Sequence, residues 1–374
     1  MATRKKAYTP WFKPDYDRAA LPAKLLRDFE RRHTTRIWQG IPSIERTGGG
    51  TIFAAWYSGG HTEGMDNFVL LARKRPGAEW EKPFLVVENV EGVRTFDEVL
   101  WIDPLGRLRL YWAQAHMHMD GKEGVWESVC DQPDAEQPVF SRPRRLCDGI
   151  MLNKPTVLGS GRWLYTVARC PLKPFHPMNV GTVIFNDPDE QQRNAQVYAS
   201  DDNGCTVSLL GQARFSKSDF FEHMLYECSD GSLRMLSRSA PVLYESVSRD
   251  GGITWSNQRP TQIGNPCSRF HVRRLMSGRL LLINHRNFIG RNNLYAQVSQ
   301  DDGKTWNDGL LLDERSQVSY PDAVQDAEGL IHIIYDHDRY GSMEIMMAQI
   351  TEEDILTGTI VSPDSKLKIC IDRA

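Results

Sequence analysis

The sequence predicts an all-β chain, folded as a six-bladed β-propeller of four-stranded antiparallel blades. Three observations carry this. The octet Ser-x-Asp-x-Gly-x-Thr-Trp is written twice, as SRDGGITW (248–255) and SQDDGKTW (299–306). A longer phrase, a short strand, a Gly turn and a second apolar strand, recurs along the chain. Internal repetition with periods of roughly 40–50 residues is the mark of propellers and related repeat folds. Helical periodicity is scarce, and only PAKLLRDFERR (22–32) reads as a helix, placed ahead of the first blade.

Six copies of the long phrase open the six blades. They are PSIERTGGGTIFAAWYS (42–58), EVLWIDPLGRLRLYWAQ (98–114), KPTVLGSGRWLYTVA (154–168), HMLYECSDGSLRMLSRS (223–239), FHVRRLMSGRLLLINH (270–285) and DAVQDAEGLIHIIYDH (322–337). Each has the alternation and central Gly of a β-hairpin. A third strand follows after a polar loop: FVLLARK (68–74), GVWESVC (124–130), AQVYASD (195–201), VLYESVSRD (242–250), LYAQVSQD (294–301) and EIMMAQI (344–350). The octets begin where the third strand ends, and a fourth strand closes each unit. SDDNGCTV (200–207) is a worn octet, and RKRPGAEW (73–80) keeps only its Gly and Trp. Residues 1–35 are expected to pack on the propeller as an extension, and residues 36–374 to form the propeller as a catalytic domain.

The octet is best read as a structural part. Its Ser and Asp can bond backbone groups of their own turn, its Gly relieves tight geometry, and its Trp can plug the space between strands. A lone hairpin turn, even repeated, lacks the convergent residues that catalysis needs.

Composition narrows the function. Forty-five basic and 48 acidic residues give a net charge of −3 with the signs well mixed. A nucleic-acid or anionic-membrane partner is therefore not expected. No apolar run approaches a membrane span. The start, MATRKKAYTPWFKPDYDR, has neither an apolar stretch nor a cleavage-like site, so a cytoplasmic location is expected. The seven cysteines are scattered without a CxxC and read as reduced structural thiols. No cofactor is expected, and the oligomeric state is unreadable.

Topology says where to look for chemistry. The Gly turns and octet turns fall on one end of the ring. The opposite end receives the loops that lead into the first strands and those that join the second and third. There a basic set (Arg94, Lys154, Arg238, Arg269, Arg286, Arg291) meets an acidic one (Glu63, Asp66, Asp97, Glu222, Asp322, Asp336, Asp338). Innermost strands would aim these side chains into one bowl, which suits an anionic, carboxylate-bearing, sugar-sized ligand.

With these features the chain resembles the sialidase (neuraminidase) superfamily, whose Asp-box repeat the octets match. The resemblance spans about residues 36–350. It implies a six-bladed propeller, Asp boxes remote from the active site, three arginines on a substrate carboxylate, a tyrosine nucleophile paired with a glutamate, and a carboxylic acid as proton donor. On the matching positions, Glu222 in FFEHMLYECSDGSL looks like the glutamate and Tyr320 in VSYPDAV like the nucleophile. Arg238 in LRMLSRS and Arg291 in GRNNLYAQVS look like two of the arginines. Glu63, with Asp66 as its rival, is similar in placement to the acid. The first family arginine precedes an Ile-Pro pair, and here that place is Gly40 in QGIPSI. Arg36 lies four residues early, and Arg94 is a possible substitute. Asp97, Lys154 and His285 complete the expected substrate-binding set.

The chemistry has its own logic. A 2-keto sugar acid carries a carboxylate on its anomeric carbon, which repels a carboxylate nucleophile. A neutral phenol avoids this, and a nearby Glu can take its proton. Two other readings stand beside this exo-sialidase-like hydrolase. A lyase or hydrolase of uronic-acid or rhamnosyl-uronate glycans would need a clamp and a base from Lys154, His223, His285, His337 or Tyr320. A propeller that binds a glycan without turning it over is the third. A metal is not expected, although His116 and His118 in AHMHMD, with Asp120, would share one face of a strand.

Overall fold

Short apolar runs that alternate with polar residues and end in Gly turns can bury one face only by pairing as hairpins and stacking sheet on sheet. The computed structural model describes residues 21–30, 35–64, 66–116, 123–170, 194–218 and 220–374. These form the expected propeller. Blade one is β2 (Trp38–Arg46), β3 (Ile52–Gly59), β4 (Phe68–Lys74) and β5 (Leu85–Glu88), with β1 (Lys24–Leu26) added outside β5. Blade two is β6 (Val93–Ile102), β7 (Leu108–His116), β8 (Gly124–Cys130) and β9 (Arg144–Asp148). Blade three is β10 (Thr156–Val157), β11 (Trp163–Ala168), β12 (Ala195–Ser200) and β13 (Ser208–Ala213). Blade four is β14 (Met224–Glu227), β15 (Leu233–Ser237), β16 (Val242–Ser248) and β17 (Arg259–Gly264). Blade five is β18 (His271–Arg274), β19 (Leu280–His285), β20 (Leu294–Ser299) and β21 (Leu310–Asp313). Blade six is β22 (Val318–Gln325), β23 (Ile331–His337), β24 (Glu344–Ile350) and β25 (Lys366–Arg373), with helix α1 (Glu352–Thr357) between its last two strands.

One expectation is corrected. The helix read over 22–32 gives way at Lys24–Leu26 to β1, which pairs antiparallel with β5. An open sheet edge there outweighs local helix propensity, because the edge offers unpaired backbone groups. Among the described residues no helix is long and apolar enough to cross a membrane, and none of the seven cysteines is paired.

Aromatic wedges fill the spaces between blades. Trp101 of blade two meets Trp163 of blade three edge-on at 4.8 Å, and Tyr111 meets Tyr165 at 6.2 Å. All four are fully buried, which with the edge-to-face geometry favours a fixed blade angle.

The octets fold as a cage around one aspartate. Asp250 accepts from the Thr254 amide at 2.9 Å and its hydroxyl at 2.5 Å, while Ser248 Oγ donates to Asp250 at 2.8 Å and accepts from Gly252 N at 2.9 Å. Trp255 Nε1 donates to Gly252 O at 3.0 Å. Asp301 repeats the pattern with Ser299 and Thr305. So does Asp202 in the worn copy, with Ser200 and Thr206, although Val207 replaces the Trp. The Thr254 bonds hold the Asp250 carboxyl down at about 2. Its stabilising effect is therefore present above the ordinary aspartate range and lost as pH falls through about 2. Asp250→Ala is expected to lower the Tm and leave ligand affinity at the far end of the ring unchanged. Weakened binding without a Tm change would give the octet a ligand role instead.

The ring closes without strand exchange, since every blade is built from consecutive strands. Carboxylates of blade six hold β2 of blade one. Asp336 accepts from Ile41 N at 2.8 Å, and Asp322 accepts from Ser43 Oγ at 2.6 Å and Ile44 N at 3.0 Å. Arg36 reaches Asp372 near the end of β25.

Candidate active site

The innermost strands are bent where they approach the cleft. Pairing slips between Gly40 and Ser43 in β2, between Phe96 and Val99 in β6, and between Ser319 and Asp322 in β22. Inside each slip one residue adopts left-handed backbone: Ile41 (φ 58), Asp97 (φ 49) and Tyr320 (φ 55). Just ahead of β14, Phe221 (φ 54) and Glu222 (φ 39) do the same. Such conformations cost about 1–3 kcal/mol each for residues other than Gly and cluster at functional sites. A bulge is a device for re-aiming a side chain. Here Ile41, Asp97, Glu222 and Tyr320, from four blades, all line one cleft of about 620 Å³.

Backbone bonds lock this arrangement. Phe221 O accepts from Arg238 N at 2.8 Å and from Ser237 Oγ at 3.0 Å, and Asn153 Nδ2 donates to the carbonyls of Glu222 and His223. Arg269 spends its guanidinium on the carbonyls of Leu152, Pro42 and Tyr320. It is therefore a brace beneath the cleft.

At the floor of the cleft three groups meet. Tyr320 Oη donates to Glu222 Oε1 at 3.0 Å, and Arg238 Nη1 donates to the same carboxylate oxygen at 2.6 Å and to Tyr320 Oη at 2.9 Å. Glu222 Oε2 and Arg238 Nε are buried and have no partner among the described residues. Three more guanidiniums lie against the Tyr320 ring, those of Arg269 and Arg291 with Cζ 5.3 Å from the centroid and that of Arg339 at 4.2 Å. Arg291 Nη2 donates to Cys267 O at 3.0 Å. Arg94 lines the cleft from blade two, stacked at 3.5 Å on Phe96.

Burial lifts the Tyr320 phenol above its ordinary value against the pull of Arg238, so the neutral phenol is the resting form. Burial, with the nearby Glu63 charge second, pushes Asp97 up to about 7. Glu63 also lines the cleft and lies 3.5 Å from Arg339 Nη1. A carboxyl raised in this way holds a proton near neutrality.

The structure thus gathers Tyr320, Glu222, Glu63, Arg238, Arg291, Arg94 and Asp97 of the residues expected from the sequence. Three others are corrected. Asp66 is exposed and does not line the cleft. Lys154 lies in the axial channel, where its ammonium donates to Leu100 O at 2.8 Å and to Ile44 O, and sits 3.1 Å from both Glu45 and Asp322. His285 turns away to Asn292 O at 2.7 Å. The other histidines weighed as bases are also committed, His223 to Gln196 O and His337 to Glu344. Burial pulls both His223 and His285 down to about 4. Arg36, weighed as the displaced arginine, is held by Asp372 and Gln39. His118 and Asp120 lie outside the described residues. Among those described, no group of three or more His, Cys, Asp or Glu side chains is placed to hold a metal.

Arg339 was not foreseen. In DHDRYG it follows Asp336 and Asp338 in a short turn. Asp338 does cap that turn, accepting from Gly341 N and Ser342 N. The available signal was the glycine at position 40, a missing side chain at a crowded place.

Residues 50–333, well over half of the chain, match the BNR repeat-like domain. The chain belongs to that family. Solved structures similar to this BNR repeat-like protein include the Hadza microbial sialidase Hz136, 16% identical with a TM-score of 0.66 over 86% of this chain and 67% of that one. The NanB sialidase of Streptococcus pneumoniae is 12% identical, TM-score 0.63, over 87% and 70%. A protein of unknown function from Dyadobacter fermentans is 16% identical, TM-score 0.61, over 82% and 92%. At these identities the likeness is one of fold. No curated protein sequence matches the chain.

Proposed function

We propose that this protein is a glycoside hydrolase of an acidic sugar with an exo-sialidase-like mechanism. The contact of Tyr320 Oη, Glu222 and Arg238 within 3.0 Å, in a cleft lined by four arginines, is the observation that most supports this reading. In this mechanism the Tyr320 oxygen attacks the anomeric carbon and its proton passes to Glu222. The leaving oxygen takes a proton from the Glu63/Asp97 pair. Water then attacks the same carbon, giving its proton back to that pair, and the departing phenolate recovers its own from Glu222. Each transfer is between groups that share the cleft.

The position of the cations narrows the substrate. Arg238, Arg291 and Arg339 surround the nucleophile itself. The acid group they hold must then sit on, or beside, the carbon under attack. A 2-keto sugar acid satisfies this. A uronic acid carries its carboxylate on C5, on the far side of the ring oxygen from the anomeric carbon, and does not.

The test is an assay of aryl and oligosaccharide glycosides of 2-keto sugar acids, uronic acids and rhamnose. Free sugar is expected from the first group, with kcat/KM falling as pH rises through about 7, where Asp97 loses its proton. A new ultraviolet absorbance from an unsaturated uronate indicates elimination, and binding without turnover indicates a glycan receptor. Either result overturns the proposal.

A further inference from the structure

Gly40, next to the cleft residue Ile41, is a position whose backbone would accept a side chain that this chain lacks. It is absent from the residues with left-handed backbone, so an L-amino acid fits its conformation. Space is what forbids one. A Cβ built there would lie 2.8 Å from Arg339 Cδ and Nε and 2.9 Å from its Cγ. The stem of Arg339, arriving from the turn between β23 and β24 at the far end of the sequence, fills the volume a residue at 40 would take. That stem is then fixed at its head. Nε donates to Asp336 at 2.8 Å, Nη2 to Ser319 Oγ at 3.2 Å, and Nη1 lies 3.5 Å from Glu63. Asp336 in turn holds Ile41 N, next to the glycine.

The other candidates for a cation on this wall are accounted for. Arg36 is bonded to Asp372 and Gln39 and does not line the cleft. Arg269 gives both terminal nitrogens to three carbonyls and does not line the cleft. Arg94 approaches from blade two and stacks on Phe96. Arg339 lies nearest the Tyr320 ring, at 4.2 Å, and lines the cleft, whereas Arg269, 5.3 Å from the same ring, does not line it.

We infer that Arg339 supplies the substrate-binding guanidinium on the blade-one wall, and that Gly40 and Arg339 are a matched pair in which the glycine leaves room for an arginine delivered by the last blade. The binding half of this inference rests on reading the cleft as an acidic-sugar site. The packing half does not. A cation rooted in blade six also carries a consequence: anion recognition depends on the seam between the first and last blades, because the same Asp336 orients Arg339 and anchors β2.

The experiment reads the two halves separately. For packing, Tm is measured for the parent, Gly40→Ala, Arg339→Ala and the double variant. Gly40→Ala is expected to lower the Tm of the parent and to be tolerated once Arg339 is Ala. Equal drops in both backgrounds overturn the matched pair. For binding, calorimetry compares an unsaturated 2-keto sugar acid with its methyl ester. Arg339→Ala is expected to weaken the acid about 10–100-fold, the range for losing a charged hydrogen bond, and the ester less than about threefold. Arg339→Lys is expected to recover part of the acid affinity. Equal losses for acid and ester overturn the role of Arg339 while leaving the acidic-sugar reading intact. A parent that binds neither compound overturns that reading and the clamp with it, whatever the Tm cycle shows.

Discussion

Tyr320→Phe is expected to remove turnover of an acidic glycoside, by at least about 10³-fold in kcat, while changing its affinity little. The reasoning separates ring from oxygen. The ring is what Arg291 and Arg339 lie against, at 5.3 and 4.2 Å, and Phe keeps it. What is lost is the oxygen that attacks carbon and the proton it gives to Glu222 across 3.0 Å. Glu222→Gln should be the milder change, about 10²–10⁴-fold, since it removes only a proton acceptor. It should also disturb Arg238, whose 2.6 Å bond to Glu222 would lose its charge. KM is therefore expected to rise in Glu222→Gln and to hold in Tyr320→Phe. Steady-state kinetics with calorimetric affinities check both. A Tyr320→Phe enzyme within tenfold of the parent would falsify the nucleophile assignment.

The division between what was legible in the sequence and what was not has a physical basis. Blade number and strand order were legible because repetition wrote each hairpin and turn with local chemistry: Gly turns, period-two alternation, and an Asp cage bonding only its own turn. The floor of the cleft was legible for a related reason. Glu222 and Tyr320 stand at the mouth of first strands, Arg238 follows a second, and in a propeller those places converge. Lys154 and Asp322 stand at similar places yet serve the axis, because a difference of one or two residues around a bulge decides whether a side chain points to the cleft or to the channel. Strand alternation alone does not locate the slip. Arg339 was illegible for another reason. Its partner across the seam, Gly40, is some three hundred residues away, and a space has no letter in the sequence. The resemblance supplied the absence at position 40, and only the packing shows what fills it.

The axial channel carries the largest expected loss of stability. Lys154→Met is expected to destabilise the fold by about 3–5 kcal/mol, the cost of leaving buried charge uncompensated. For a chain of this length that is a fall in Tm of about 4–6 °C, given about 2.1 cal/mol/K of unfolding entropy per residue. The ammonium is fully buried, donates to Leu100 O and Ile44 O, and neutralises Glu45 and Asp322, each 3.1 Å away. It joins backbone of blades one and two to the carboxylate of blade six. The pH dependence gives a second check. Burial alone would push Asp322 up, yet Lys154, with the hydrogen bond from His271, holds it well below the usual aspartate range. A depressed carboxylate contributes stability that is present above its unfolded pKa of about 4 and fades as pH falls through the folded value. Without Lys154 that contribution shrinks to what His271 and Arg269 still supply. The Tm gap between parent and Lys154→Met should therefore be widest above about pH 5 and narrow on acidification. Adding Asp322→Asn to Lys154→Met should recover part of the loss, because a neutral amide oxygen can still accept from Ser43 Oγ and Ile44 N. If the double variant is less stable than Lys154→Met at neutral pH, the carboxylate matters as an acceptor more than as a charge, and the electrostatic account of ring closure is wrong.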